Sequence, residues 1–189
     1  MSAEASRSGE PARPTRRLAL ALALLVALAA VVLVVTAVGS GRGGYEAGGP
    51  LASDRETRVT THARPGSAIT WGTVLPTNPT AHDIVIESIV PSEPVSGLTV
   101  LGLGVSDPRQ GAVGTADRYP PLGITPLAVA GAVMTPRDGP SPFVQVVVGI
   151  RLDDPTEGRI AGLRIRYATA GRRYETVLHD ELIVVPPST

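Results

Sequence analysis

Cysteine is absent from this 189-residue chain, and so is lysine, all 17 basic residues being arginine. Without thiols there can be no disulfide, no thiolate metal site, no cysteine nucleophile and no lipid-modified N-terminal cysteine. Stability must come from a hydrophobic core, and the absence of disulfides does not argue against export. The missing lysine fits the codon usage of a GC-rich genome, so the arginines are not in themselves a sign of selected guanidinium chemistry. Aromatic residues number only six, too few for the stacking platforms of carbohydrate and single-strand binders. The formal net charge is zero, which gives no global attraction to nucleic acid.

What the chain does have is one long apolar run. Leu18 to Val38 is built from Leu, Ala and Val with a single Thr36. As a helix it would span roughly 30 Å, the thickness of a bilayer's hydrocarbon core. Arg7, Arg13, Arg16 and Arg17 precede it and only Arg42 follows closely, so the positive-inside bias places residues 1–17 in the cytoplasm and the rest outside. A cleaved signal peptide competes with this reading, because Ala37-Val38-Gly39 offers small residues for a peptidase. The run is longer than the usual signal core of about 7–15 residues, and an uncleaved anchor is the reading adopted. Thr15-Arg16-Arg17 is a poor match to a twin-arginine export signal.

The expected organisation is a cytoplasmic tail (1–17), a transmembrane helix (18–38), a flexible tether (39–56) and an extracytoplasmic domain (57–189). Six glycines in residues 39–56 and no apolar periodicity suggest the tether. Beyond it the hydrophobic period is two. Strands are predicted at 57–62, 67–75, 82–90, 97–105, 142–152, 159–167, 173–178 and 181–185, with a further one near 127–134. Ile69, Trp71 and Leu75 share a face of the second, and 82–90 is apolar on both faces, as a central strand would be. Val144, Val146, Val148, Ile150 and Leu152 point inward, as do Ala161, Leu163, Ile165 and Tyr167. Residues 106–142, with seven prolines and five glycines, read as a crossover between sheets. The fold class expected is all-β: an antiparallel sandwich outside the membrane, preceded by one transmembrane helix.

The stretch "WGTVLPTNPTAHDIVIESIV" (71–90) runs from a strand through a polar, Asn-containing turn into a strongly apolar strand. In this it resembles the Ig-like sandwich domains of membrane-anchored, exported bacterial proteins. The resemblance implies a fold and a cell-membrane location, and no activity.

Five arginines fall in residues 158–178. Pairing 144–152 with 159–167 across "DDPTEG" sets Gly149 opposite Gly162, a bare backbone patch where a partner protein, a bulge or the Pro-rich 106–142 segment could lie. Pairing 159–167 with 173–178 about Ala170-Gly171 sets Tyr167 opposite Tyr174 and Arg166 opposite Glu175. That leaves Arg164 unpaired in mid-face and Arg172 and Arg173 at a turn tip. These three form a possible anion-binding set, with a solvated face as the plainer alternative.

No catalytic, cofactor or metal site is expected. His82-Asp83 and His179-Asp180-Glu181 put neighbouring side chains on opposite strand faces, and Asp153, Asp154 and Glu157 lack EF-hand spacing. No serine lies in a nucleophile elbow, and no Gly-rich stretch matches a phosphate loop. The expected partners are the lipid bilayer, through residues 18–38, and another envelope protein, with no nucleic acid. The function expected is a non-catalytic interaction or structural domain, the alternative being a module for an anionic wall polymer or lipid headgroup.

Overall fold

A computed structural model describes residues 44–53, 56–107, 109 and 111–188. The expected tail and transmembrane segment lie outside the described residues, and among the described residues no helix is long and apolar enough to cross a membrane. In the compact unit from Tyr45 onward the described residues form fourteen strands: β1 (Glu46–Ala47), β2 (Ala52–Ser53), β3 (Arg58–His62), β4 (Ala68–Val74), β5 (Pro76–Thr77), β6 (Ile84–Pro91), β7 (Leu98–Ser106), β8 (Thr115–Ala116), β9 (Val133–Met134), β10 (Gln145–Leu152), β11 (Gly158–Ile160), β12 (Leu163–Thr169), β13 (Arg172–Leu178) and β14 (Glu181–Val185).

Two larger sheets carry the fold, a five-stranded one in the order β1-β13-β12-β6-β9 and a four-stranded one in the order β7-β10-β4-β8. Their inner faces close over one core that includes Trp71, Ile84, Ile86, Val146, Val148, Ile150, Leu163, Ile165 and Tyr167. Period-two alternation produces this directly, because alternate side chains of each strand face the opposite sheet. The result is a β-sandwich. Smaller sheets, β11-β14-β3 and β2-β5, complete it.

Most pairings are antiparallel, but β1 runs parallel to β13 and β3 parallel to β14. Parallel neighbours cannot be joined by a tight turn; here the chain returns to them after traversing nearly the whole domain. The expected boundary at residue 57 therefore falls too late. β1 extends the five-stranded sheet, and Leu51 is buried in the core, so residues 45–53 form a docked strap where a free tether was expected.

The hairpin β12–β13 has the register expected from the sequence: Leu163 opposite Leu178, Ile165 opposite Thr176, Arg166 opposite Glu175 and Tyr167 opposite Tyr174. Its turn residues Ala170 and Gly171 both have positive φ, the geometry whose twist suits a two-residue hairpin. The other expected hairpin does not form. β10 pairs with β7 and β4, not with residues 159–167, and Gly149 lies opposite Gly102. Residues 159–167 are two strands, because the chain breaks at Gly162 to leave one sheet and enter another. The Gly162 carbonyl accepts a hydrogen bond from the Ser92 amide, and a Cβ there would stand 2.6 Å from the Leu178 carbonyl oxygen. Ala161 falls in the break, and Ile160 is buried in its place. In β4 a register shift between Val146 and Val148 changes the phase, so that Val74 is buried and Leu75 is exposed.

Residues 107–142 connect β7 to β10, neighbours in one sheet, where a crossing from one sheet to the other was expected. On the way they cover that sheet's outer face. Thr70 Oγ1 donates to the Arg118 carbonyl, and the Tyr119 ring lies on Gly149 and Gly102 so closely that a Cβ on Gly149 would be 2.2 Å from its Cγ. The buried Gln145 side chain stitches this cover down. Its Oε1 accepts from the Val113 amide at 2.9 Å, and its Nε2 donates to the carbonyls of Val113 and Gly72. Farther along, β9 joins β6. The four-stranded sheet is thus covered on both faces.

Candidate functional site: the outer face of the five-stranded sheet

Among the described residues no such cover lies over the central strands of the five-stranded sheet. Residues opposite one another in a sheet point to the same side, so Val90 and Val85 of β6 share the outer face with Arg164 and Ala168 of β12, and Arg166 stands beside Glu175 of β13. A register shift between Arg166 and Tyr167 marks an irregularity at Glu87. The strand expected to be apolar on both faces and central does lie between β12 and β9, but its outer valines are exposed, Val90 being 46% accessible.

The arginines here are partnered. Arg166 Nε is 2.7 Å from Glu175 Oε2. Arg164, expected to be unpaired, lies 3.5 Å from Glu175 Oε1 and donates to the Ser92 carbonyl at 3.2 Å. Arg172 faces Glu46 at 3.6 Å. Arg173 grips Glu87 through Nε at 3.0 Å and Nη2 at 2.7 Å. Of the residues proposed from sequence as anion-binding, each has a carboxylate of its own chain. The two proposed contact glycines share no patch: Gly149 is under Tyr119 in the four-stranded sheet, and Gly162 is at the β11–β12 break.

Tyr45 is the residue that sequence reading left in a loop and that the fold makes central. Its hydroxyl donates to Glu87 Oε2 at 2.5 Å and accepts from Arg173 Nη2. The guanidinium carbons of Arg166 and Arg173 lie 4.8 and 4.5 Å from its ring centroid, a cation–π arrangement on both counts. Behind it the strap is held by backbone and ring: the Gly48 amide donates to the Glu175 carbonyl, and Tyr167 Oη accepts from the Leu51 amide while donating to the Gly48 carbonyl. The hydrogen bonds from Arg173 hold the Glu87 carboxyl below its ordinary value of 4.5 against the opposing effect of burial, helped by Tyr45. Hydrogen bonding to Glu87, then burial, raises the Tyr45 hydroxyl.

A depressed carboxylate stabilises the fold fully above its unfolded pKa, and that contribution fades as pH falls through the folded value. We therefore expect Glu87→Gln to lower Tm at neutral pH, with the gap from wild type narrowing as the pH is taken below about 4.5. A gap that stays constant from pH 7 to pH 3 in thermal melts would show that Glu87 is not ionically engaged.

Four of the other acids singled out by sequence, Asp153, Asp154, Asp180 and Glu181, have structural partners. Asp180 is buried and accepts through Oδ1 from the Thr57 amide and hydroxyl. Burial pushes Glu181 up, but Arg58 and Arg159 outweigh it and hold the carboxyl down. Asp153 bonds Thr99 and Arg151, and Asp154 caps its turn through Thr156. Asn78 is buried and pins the 78–82 turn to the Met134 and Thr135 carbonyls. Among the described residues no group of three His, Asp or Glu side chains could hold a metal ion.

No family model and no curated protein matches the sequence. Two solved structures are similar in outline. The VesB protease of Vibrio cholerae is 13% identical with a TM-score of 0.38, the match covering 72% of this chain and 32% of that one. The ASH/PapD-like domain 7 of human CEP192 is 9% identical with a TM-score of 0.40, over 74% of this chain and 87% of that domain. The chain thus spans about a third of the length of VesB.

Proposed function

We propose that this chain is a non-catalytic protein-interaction domain with an Ig-like sandwich, held at the outer side of the cell membrane by residues 18–38 with its N-terminus in the cytoplasm. The observation that carries the interaction reading is the difference between the two sheets. One has its outer face sealed by 107–142; the other leaves Val85, Val90 and Val133 exposed around a cluster of Arg164, Arg166, Arg173, Tyr45 and Glu87. Arginine and tyrosine set among apolar residues is the composition favoured in protein interfaces. The apolar run and the arginines before it support the anchor and its orientation. The alternative of an anionic envelope ligand is weakened by the carboxylate already beside each of Arg164, Arg172 and Arg173. From residue 40 onward, moreover, 13 arginines oppose 15 acids, so no positive field surrounds them.

The natural absence of cysteine allows one experiment to test location and surface together. In intact cells carrying full-length Val90→Cys, a membrane-impermeant, cysteine-reactive crosslinker should give a discrete adduct with a second protein. Leu122→Cys, on the crossover and 83% exposed, should react without forming that adduct. A Val90→Cys chain that never reacts would overturn the location. One that reacts but gives the same products as Leu122→Cys would overturn the surface.

A further inference from the structure

One end of the sandwich carries an apolar groove of about 390 Å³, lined by Val105, Leu127, Ala128, Val133, Phe143 and Val144. Its rim is open to solvent, Leu127 being 62% exposed and Val133 46%. From Tyr119 to Met134 the chain has no charged residue. The charged pair at the mouth is neutral as a pair, Asp107 and Arg109 lying 2.5 Å apart.

Exposed apolar patches mark contacts with proteins or with membranes, and two observations favour the membrane here. The first is the backbone. The amides of Leu127, Gly131 and Ala132 donate to the carbonyls of Val105, Ile86 and Val129, and the carbonyls of Leu127 and Ala132 accept from Val105 and Ile86. Val133 and Met134 are paired with β6. An apolar surface whose main-chain groups are already bonded suits hydrocarbon, which offers no hydrogen bonds, and gives an incoming strand little to extend. The second observation is position. Val133, Val85, Ala168 and Arg173 stand opposite one another on successive strands, and Arg173 holds Tyr45 at the start of the domain. Three strand spacings of about 4.8 Å put Val133 roughly 15 Å from Arg173. Ahead of Tyr45 only residues 39–44 separate it from Val38, at most about 25 Å of fully extended chain. An anchor over 18–38 therefore keeps this end of the sandwich within reach of the bilayer surface.

We propose that this end of the sandwich docks on the lipid bilayer, with Leu127, Ala128 and Val133 seated in its interfacial layer. Because the charges at the mouth cancel, the attachment is apolar and needs no anionic lipid. Val90, five residues along β6 from Val85, stays in water. So does Glu157, in the turn that follows β10 at the opposite end. The open face of the five-stranded sheet then stands clear of the lipid, accessible to a protein partner.

The test uses the full-length chain in vesicles of phosphatidylcholine alone, with a nitroxide on Leu127→Cys, Val90→Cys or Glu157→Cys. Oxygen concentrates in hydrocarbon and a nickel chelate stays in water, so their collision rates with the label report its depth. The oxygen-to-nickel ratio at Leu127→Cys should exceed those at the other two positions several-fold. Emission of Trp71, the chain's single tryptophan, should match wild type in each unlabelled variant, showing that it is folded. Equal ratios at Leu127→Cys and Glu157→Cys overturn the proposal and leave the anchor standing. A ratio at Val90→Cys as high as that at Leu127→Cys would lay the open face on the lipid, and overturns it too. The proposal rests on the anchor reading, which is checked separately: a wild-type chain that an alkaline wash strips from the vesicles overturns both.

Discussion

Gln145→Met should unfold at a markedly lower urea concentration than wild type. The substitution nearly preserves side-chain length and removes the amide that binds the crossover to the sheet. Three backbone groups lose their partner at once: the Val113 amide, the Val113 carbonyl and the Gly72 carbonyl. A buried polar group left unpaired costs roughly 1–3 kcal/mol, so the total expected is about 3 kcal/mol or more. A second readout locates the damage. Tyr119 would lose its seat over Gly149 and Gly102, and protease cleavage within 107–142 should begin before Trp71 becomes exposed. A loss below about 1 kcal/mol would mean that water replaces the amide without penalty and that the crossover is held by its apolar contacts alone.

Ile165→Ala should cost about 2–5 kcal/mol, the range for truncating a fully buried aliphatic side chain. Ile165 has no exposed surface. It stands between Ile89 of β6 and Thr176 of β13, and its removal leaves a cavity where the five-stranded sheet meets the opposite layer. Denaturant melts followed through Trp71 measure this directly. A cost under about 1 kcal/mol would place Ile165 outside the core and shift the face assignment of β12 with it.

Much of this fold is local in origin and so can be read along the chain. The β12–β13 register follows from three neighbouring facts: alternating apolar positions, a two-residue turn, and a glutamate that any one-residue slip would bury. Even the partner of Arg164 was within reach of that register. Glu175 is its diagonal neighbour across the strand pair, and long side chains span that distance. The error over β10 has a different cause. "DDPTEG" signals a turn, but a turn does not say which strand comes next to which. Here the amides of Asp153 and Asp154 bond the Gly97 carbonyl, and the chain leaves for β14 before entering the other sheet. The Tyr45–Glu87–Arg173 cluster is less legible still. Its members are separated by 42 and 86 residues, and Tyr45 lies in a glycine-rich stretch with no periodicity to mark it. Gln145 has no sequence signal, and Asn78 reads only as a turn residue, for a related reason: polar residues at a strand start or in a turn look like surface until a distant segment packs on them.

The strap also has a mechanical meaning. A pull transmitted through the chain ahead of Tyr45 reaches the fold first at a two-residue ladder, a pair of guanidinium–ring contacts and the hydroxyl of Tyr167, then at the two-residue pairing of β2 with β5, and only afterwards at the five-residue pairing of β3 with β14. The weaker attachment stands in series before the stronger one. Peeling it frees the stretch from Tyr45 to Thr57, about 40 Å of slack at roughly 3.3–3.6 Å per extended residue. The sandwich beyond β3 would yield that length before its own strands bear the load, and on release Tyr45 can find its place between Arg166 and Arg173 again.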